Sequence, residues 1–432
     1  MAPSLRKSIL VSLILLLGGF RTAPANAMPP IETFLAAGRE YAVDQRVANQ
    51  RVEVRQAERA EASGRLLPAI NIQGGYTRNQ YNIETQIPTS SGGTRGIVIS
   101  AYNQLDALFQ LEVPMLDLAQ LRRIEAARLG VDAARLDTEV VGLDVDRQVV
   151  RAYYQMVGAD AVAASAREAE RVARENLRVV ESRVTAGLAS SLDRERAAAE
   201  VEARVQTVAE SDLLRRQARR QIRALTNLTV AEDDTTTFDV ALEGDPPLDH
   251  FVSAIDRLPT VRASETRIEL ARAQQRAARS AFVPTISGLA QERITNVYGF
   301  SYPRQWLVQV VARVRLDFSK SAQIDIADAN AALASLEEER ARINARDGIE
   351  NAYDQVVANL ARTQAARAQV VAATQSADVA NQRYGVGSAS QLEVVQANRD
   401  KFAAEVQRVQ AEAELEFARA LLRIVAGFGM DE

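Results

Sequence analysis

Four proline- and glycine-punctuated stretches set the pattern of this chain. After Pro68, Ile70, Ile72, Gly74 and Tyr76 alternate with Asn71, Gln73, Gly75 and Thr77, the period of two expected of a strand with one apolar face. A return strand carries Phe109, Leu111 and Val113 against Gln110 and Glu112. A second hairpin follows Pro284, and its return strand sets Trp306, Val308, Val310, Ala312 and Val314 against Gln309, Arg313 and Arg315. The two return strands differ in phase by one residue, which predicts a bulge near Pro114. The hairpin tips are placed at 82–105, rich in Ser, Gly and Thr, and at 295–305.

Between the hairpins the pattern is helical. Charged helices are expected over 44–65 and 260–281, each stopped by the proline that opens a hairpin. The stretch 118–182 has no proline, and an unbroken helix of that length spans about 100 Å. A partner from Ser191 to about Leu228 returns part of the way. In the last helix, Phe402, Val406, Val409, Ala413 and Ala420 give a heptad-like seam of small residues.

The same plan occurs twice. Arg183, Gly187 and Asp193 recur 200 positions later as Arg383, Gly387 and Glu393, and Ala152-Tyr153-x-Gln155-x-Val157 recurs as Ala352-Tyr353-x-Gln355-x-Val357. Upstream the offset is 216, matching Pro68 to Pro284, so the first hairpin is 16 residues longer than the second. Length variation of this kind belongs at solvent-exposed tips. The expected organisation is repeat 1 over 28–229 (hairpin 68–116, long helices 118–228), a connector over 230–258 with Asp233-Asp234, Gly244 and Pro246-Pro247, and repeat 2 over 259–432 (hairpin 284–316, long helices 318–428).

Composition narrows the function. Arg6-Lys7, the apolar run Ile9 to Leu17 and Ala25-Asn26-Ala27 read as a secretory signal peptide over 1–27. With 52 basic and 56 acidic residues there is no electrostatic case for nucleic-acid binding. There is no cysteine and one histidine, His250, and no nucleophile, phosphate-loop or metalloprotease motif is present. No enzyme activity, cofactor or metal is expected.

An exported chain with amphipathic hairpins suggests part of an outer-membrane barrel, because lipid tolerates strands only in a closed sheet. Each repeat is expected to supply two strands, too few to close a barrel alone. Two copies would give eight strands and three would give twelve. Asn71, Gln73, Thr77, Gln110, Glu112, Arg313 and Arg315 would face water. Tyr76, Tyr102, Tyr298, Tyr302 and Trp306 would sit near an interfacial aromatic belt. The rival is a periplasmic coiled-coil adaptor or scaffold with no barrel; such a protein typically carries one helical hairpin flanked by β-rich domains.

Leu67-Pro68 and Val283-Pro284 before the hairpins, Leu116-Asp117 and Leu316-Asp317 after them, and the two Arg-x-x-x-Gly turns together resemble the TolC-like outer-membrane efflux family over the whole mature chain. The resemblance implies a mainly α fold with transmembrane β-hairpins: a long α-helical barrel, four strands per chain and a twelve-stranded barrel in a homotrimer. It implies a channel-tunnel in the outer-membrane lipid, working with a periplasmic adaptor and an inner-membrane transporter in efflux or type I secretion. The adaptor is expected to dock at the turns, at Gly187, Leu188, Gly387 and Ser388. The pore constriction corresponds to Glu393 and Gln396, and Asp193 and Tyr384 match two members of the closing network. Three positions depart from the family pattern: Gln396 stands in place of the second acid, Ala389 in place of the basic latch residue, and Leu192 in place of the small hydroxyl residue before Asp193. Ser190-x-x-Asp193 and Ser390-x-x-Glu393 also have capping-box spacing, so both acids are expected to cap helices as one role.

Overall fold

The computed structural model describes residues 28–231, 240–314 and 318–430. The expected signal peptide, Asp233-Asp234, and Arg315, Leu316 and Asp317 at the end of the second hairpin lie outside the described residues.

A helix the sequence reading did not place, α1 (Ile31–Tyr41), opens the structure. Extended backbone at Ala42 separates it from α2 (Val43–Gly64). Strands β1 (Ala69–Arg78) and β4 (Asn103–Leu116) then flank an inserted pair, β2 (Ile83–Pro88) and β3 (Thr94–Ser100). Helices α3 (Leu118–Thr185) and α4 (Ser191–Thr226) complete the first half. The connector contains a short helix, α5 (Leu248–Val252), and a 3-10 turn at Ile255–Arg257. Then come α6 (Pro259–Ser280), β5 (Thr285–Thr295), β6 (Arg304–Arg313), α7 (Phe318–Gly385) and α8 (Gln391–Ala426). Corresponding helices have equal lengths: 22 residues in α2 and α6, 68 in α3 and α7, and 36 in α4 and α8.

The expectation of two strands per repeat is corrected in the first half, which has four. The 82–105 tip folds back as its own two-stranded sheet, turning at Gly92 (φ +85°). Ile97-Val98-Ile99 carries that strand signal, although its setting is rich in Ser, Gly and Thr. The other four strands form one antiparallel sheet in the order β1-β4-β5-β6. Pairing of Ile70 with Leu111, Ile72 with Phe109, Ala290 with Val308 and Gly288 with Val310 collects the apolar positions on one face. The phase difference follows from this register: even positions of β1 meet odd positions of β4, but even positions of β5 meet even ones of β6. The β4–β5 ladder also slips between Pro114 and Leu116, where proline cannot donate to it.

Helix order continues strand order. Nearest the sheet, α2, α3, α6 and α7 lie side by side; beyond them α4 and α8 replace α2 and α6 as the partners of α3 and α7. Thin seams allow this close packing. Ala119, Ala126 and Ala133 recur at seven-residue spacing on α3 and are buried, with Ala126 set against Ala273 of α6. Larger side chains gather at mid-height, where Phe34 is fully buried with its ring 5.5 Å from that of Tyr153.

The seam expected on α8 is shifted and doubled. Leu415, Ala418, Leu422 and Ala426 pack in one cluster with Ile349, Ala352 and Val356 of α7, while Ala420 and Ile424 pack with Val150 of α3. Phe402, Val406 and Ala413 are only half-buried. A helix in a barrel wall has two neighbours, so one heptad stripe does not describe it.

Two arginines separated by 200 positions hold the ends of the connector. Arg219 donates to the carbonyls of Val230 and Ala231, and Arg419 donates to Ala241 (2.8 Å) and Glu243 (2.9 Å).

Candidate functional site

Two regions carry the chemistry of a conduit: the helical turns at one end and the sheet at the other. Each turn is closed by a pair of backbone hydrogen bonds. Leu188 N–H donates to Arg183 O (2.7 Å) and Gly187 N–H to Val184 O (3.0 Å); Ser388 and Gly387 donate likewise to Arg383 and Tyr384. This helix stop requires a left-handed residue, supplied by Gly187 at φ +74° and Gly387 at φ +79°. Gly187, Leu188, Gly387 and Ser388 are all exposed, and Leu188, Val386, Leu192 and Leu392 add apolar surface around them.

The two acids do not behave alike. Ser190 Oγ accepts from Asp193 N–H (3.2 Å) and Asp193 Oδ2 accepts from Ser190 N–H (3.1 Å), a complete capping box. Hydrogen bonds from the Ser190 hydroxyl and N–H hold the Asp193 carboxyl below the usual range. At α8, Ser390 Oγ accepts from Glu393 N–H (3.3 Å) without the reciprocal bond. The expectation that both acids cap is thus corrected for Glu393, whose exposed carboxylate is left to solvent. Gln396 is exposed as well and donates to Asp400 (2.9 Å).

Tyr384 lies in a small core with Val180, Ala197 and Val394, and Ala389 packs against it. Its hydroxyl is buried with no hydrogen-bond partner, so the Tyr384 and Asp193 side chains are not joined to each other. Burial pushes the Tyr384 hydroxyl pKa up; Arg183 opposes the shift and the Asp193 charge adds to it. A residue the sequence reading left as a turn marker makes the long-range contact. Arg183 Nη1 donates to Tyr384 O (2.8 Å) and Gly385 O (3.2 Å), and its guanidinium lies 4.7 Å from the Tyr384 ring centre. Eight residues past Gln391, Arg399 donates to Glu200 of α4 (2.8 Å from Nε), which also accepts from Arg204 (2.7 Å).

At the sheet, the register separates two chemistries. One face carries Ile70, Ile72, Tyr76, Leu105, Phe109, Leu111, Trp306, Val308 and Val310, all exposed in the single chain, with Trp306 at 78% and Ile70 at 71%. The other carries Asn71, Gln73, Thr77, Gln110, Glu112 and Arg313, with Asp106 paired to Arg293 (2.6 Å). Charge enters the apolar face as an ion pair of Glu292 and Arg304 beside Trp306, and as Arg78, opposite Asn103 at the end of β1. Tyr298 and Tyr302, between β5 and β6, are exposed, and Arg78 covers the ring of Tyr102 at 5.2 Å. No helix among the described residues is long and apolar enough to cross a membrane.

The profile of the outer membrane efflux proteins matches residues 40–228 and 251–427. The chain belongs to this family. It is therefore an outer-membrane efflux channel that extends into the periplasm, and the reading as a scaffold without a barrel is set aside. No curated protein matches the chain. Among solved structures it is similar to the outer-membrane channel OprN (22% identity, 92% of this chain and 90% of that one, TM-score 0.74). It is also similar to the Neisseria gonorrhoeae MtrE outer membrane channel in its open state (20% identity, 94% and 90%, 0.74). A third, the Campylobacter jejuni CmeC outer membrane channel, is 16% identical over 100% of this chain and 95% of its own (0.74). At these identities the likeness concerns the fold.

Proposed function

We propose that three copies of this chain, each a tandem of repeats 28–229 and 259–432 joined by the connector 230–258, close into a twelve-stranded barrel. The barrel continues into a helical tunnel that carries exported substrates from an inner-membrane transporter and a periplasmic adaptor across the outer membrane. The observation that carries this reading is the pair of open edges. Among the described residues, strands β1 and β6 each lack a neighbour on one side, and an unpaired strand edge cannot persist in lipid. In the same order, α7 ends the helical wall with Ile326, Leu333, Leu336, Ile343, Val357 and Val371 exposed, several of them seven or fourteen residues apart. Val43, Val47 and Val54 on α2 and Leu213 and Leu214 on α4 give the opposite edge complementary apolar surface. A head-to-tail contact of this kind closes a ring. The protein purified in detergent is expected to have the mass of a trimer and to precipitate when detergent is removed. A soluble monomer that keeps its helical content without detergent overturns the proposal.

The turns form the periplasmic end, with Gly187, Leu188, Gly387 and Ser388 meeting the adaptor. Glu393, freed from capping, supplies a ring of carboxylates at the constriction, flanked by Gln396. Acidic rings draw cations into a pore. Glu393→Gln is therefore expected to lower cation selectivity in planar bilayers, and an unchanged reversal potential removes Glu393 from the pore.

A further inference from the structure

We infer that the helical wall carries a binding recess for small, flat molecules with a single anionic group, and that Arg151 pairs with their charge. Its place in a tunnel rests on the channel proposed above; the recess itself lies within one chain. Helix α3 packs against both α4 and α8, which barely meet each other. Over α3, between those two helices, is a hollow of about 410 Å³, a size that suits a small ligand. Tyr154, Val162, Leu214 and Phe417 give it an apolar lining, and Gly158 and Ala413 leave it open. Arg151 stands beside it, exposed, with its guanidinium 5.2 Å from the Phe417 ring centre. Among the described residues Arg151 makes no ion pair and no hydrogen bond. The acid that borders the recess, Glu414, is already paired with Arg362. The recess therefore offers one uncommitted cation beside an aromatic ring. A guanidinium held over a ring presents its fork to a carboxylate or sulfonate, while a flat apolar body fills the space against Tyr154 and Phe417.

The recess lies on the opposite side of the wall from α1 and the connector. On α3, Asp146 pairs with Arg39 of α1 (2.9 Å), and Asp160 pairs with Arg219 (2.8 Å), which also holds Val230 and Ala231 of the connector. Gly158 and Val162 each stand two residues from Asp160, about half a turn round the helix. Helix α8 divides in the same way: Arg419 holds Ala241 and Glu243 of the connector, and Phe417, two residues before it, lines the recess. A belt of added elements has room only outside a tunnel, so the recess opens to the lumen, in the path of passing substrates. The duplication does not repeat it. Arg151, Tyr154, Val162 and Phe417 correspond, 200 positions away, to Asn351, Asp354, Arg362 and Gln217. Neither the ring nor its uncommitted cation has a counterpart.

The test is isothermal titration of the full-length protein in nonionic detergent with naphthalene-2-sulfonate. A flat cation, 2-naphthylmethylammonium, and an anion without a ring, methanesulfonate, are titrated beside it. Naphthalene-2-sulfonate is expected to bind about tenfold or more tightly than either. Arg151→Ala should weaken it about tenfold, as the loss of one charge-assisted contact, and Arg151→Glu should weaken it further. Asn351→Ala should stay at the wild-type level; both positions are exposed, so assembly is not at stake. Phe417→Leu, which keeps the bulk without the ring, should also weaken binding. No binding by the wild type, equal binding of the cation, or unchanged affinity in Arg151→Glu overturns the recess. Its side of the wall is read from Arg151→Cys, since the chain has no cysteine of its own. Coupling that thiol to a polyethylene glycol maleimide should block single-channel current in planar bilayers. Full current after complete coupling puts the recess outside the lumen and overturns its place in the tunnel. A wild-type protein that binds the sulfonate through Arg151 but never conducts removes the channel reading and upholds the recess.

Discussion

Val308→Arg is expected to abolish accumulation of the protein in the outer membrane, while Gln309→Arg, one residue along the same strand, is tolerated. Val308 lies in the middle of β6, opposite Ala290, with Trp306 and Val310 on the same face, and it is 71% exposed in the single chain. Gln309 pairs with Leu289 and points to the face that carries Glu112 and Arg313. An arginine on the lipid face near the bilayer midplane costs about 2–4 kcal/mol, or about 6–12 kcal/mol in the proposed trimer, where every copy carries it. That is comparable to the whole stability of an ordinary domain, about 5–15 kcal/mol. The native Glu292–Arg304 pair does not contradict this, because the two charges neutralise each other and lie toward the exposed Tyr298–Tyr302 turn, away from the middle of the strands. Membrane fractionation and trimer yield measure the difference. Equal yields for the two variants would mean that the apolar face does not meet lipid.

The repeat made much of the architecture legible, because proline, glycine and a period of two act locally. Pro68 and Pro284 stop helices whatever surrounds them, and Gly187 and Gly387 end helices because few other residues accept φ near +75°. The slip at Pro114 is legible because proline cannot donate to a ladder, whereas the phase difference comes from the pairing registers of the two hairpins. What the residues did not disclose depends on neighbours distant in sequence. Asp193 and Glu393 share a spacing, yet only Asp193 completes a capping box. Arg183 and Arg383 share a motif, yet only Arg183 reaches the other turn, because the ring that receives it is Tyr384 and its counterpart is Val184. The helix α1 and the β2–β3 arm were missed for a different reason. One is only 11 residues long and the other is set among turn-forming residues, so neither offers a sustained period.

Glu412→Ala is expected to destabilise the helical wall far more than Asp212→Ala, although the two acids occupy the same place in the repeat. Arg167 with Asp212 (2.6 Å) recurs 200 positions on as Arg367 with Glu412 (2.8 Å). The difference is burial. The Asp212 side chain is 25% exposed and Arg167 48%, with Arg215 in a second, longer ion pair at 3.7 Å, whereas Glu412 is 3% exposed and accepts a second bond from Arg408 (2.6 Å). A partly exposed pair is worth about 0.2–1 kcal/mol, since water replaces the lost partner. Losing Glu412 removes two charge-assisted hydrogen bonds, a net cost of about 1.5–3 kcal/mol, and leaves Arg367 and Arg408 part-buried at 34% and 35% exposed. Arg367 also donates to Val240 O (3.0 Å), so losing Glu412 loosens the grip on the connector as well. Glu412→Gln should fall between the two alanine variants, as a neutral acceptor that keeps one hydrogen bond but not the charge. Thermal unfolding in detergent, with amide exchange followed along α7 and α8, separates the three. Equal shifts for Glu412→Ala and Asp212→Ala would mean that the duplicated pair does the same work in both halves, and that burial at Glu412 does not set its energy.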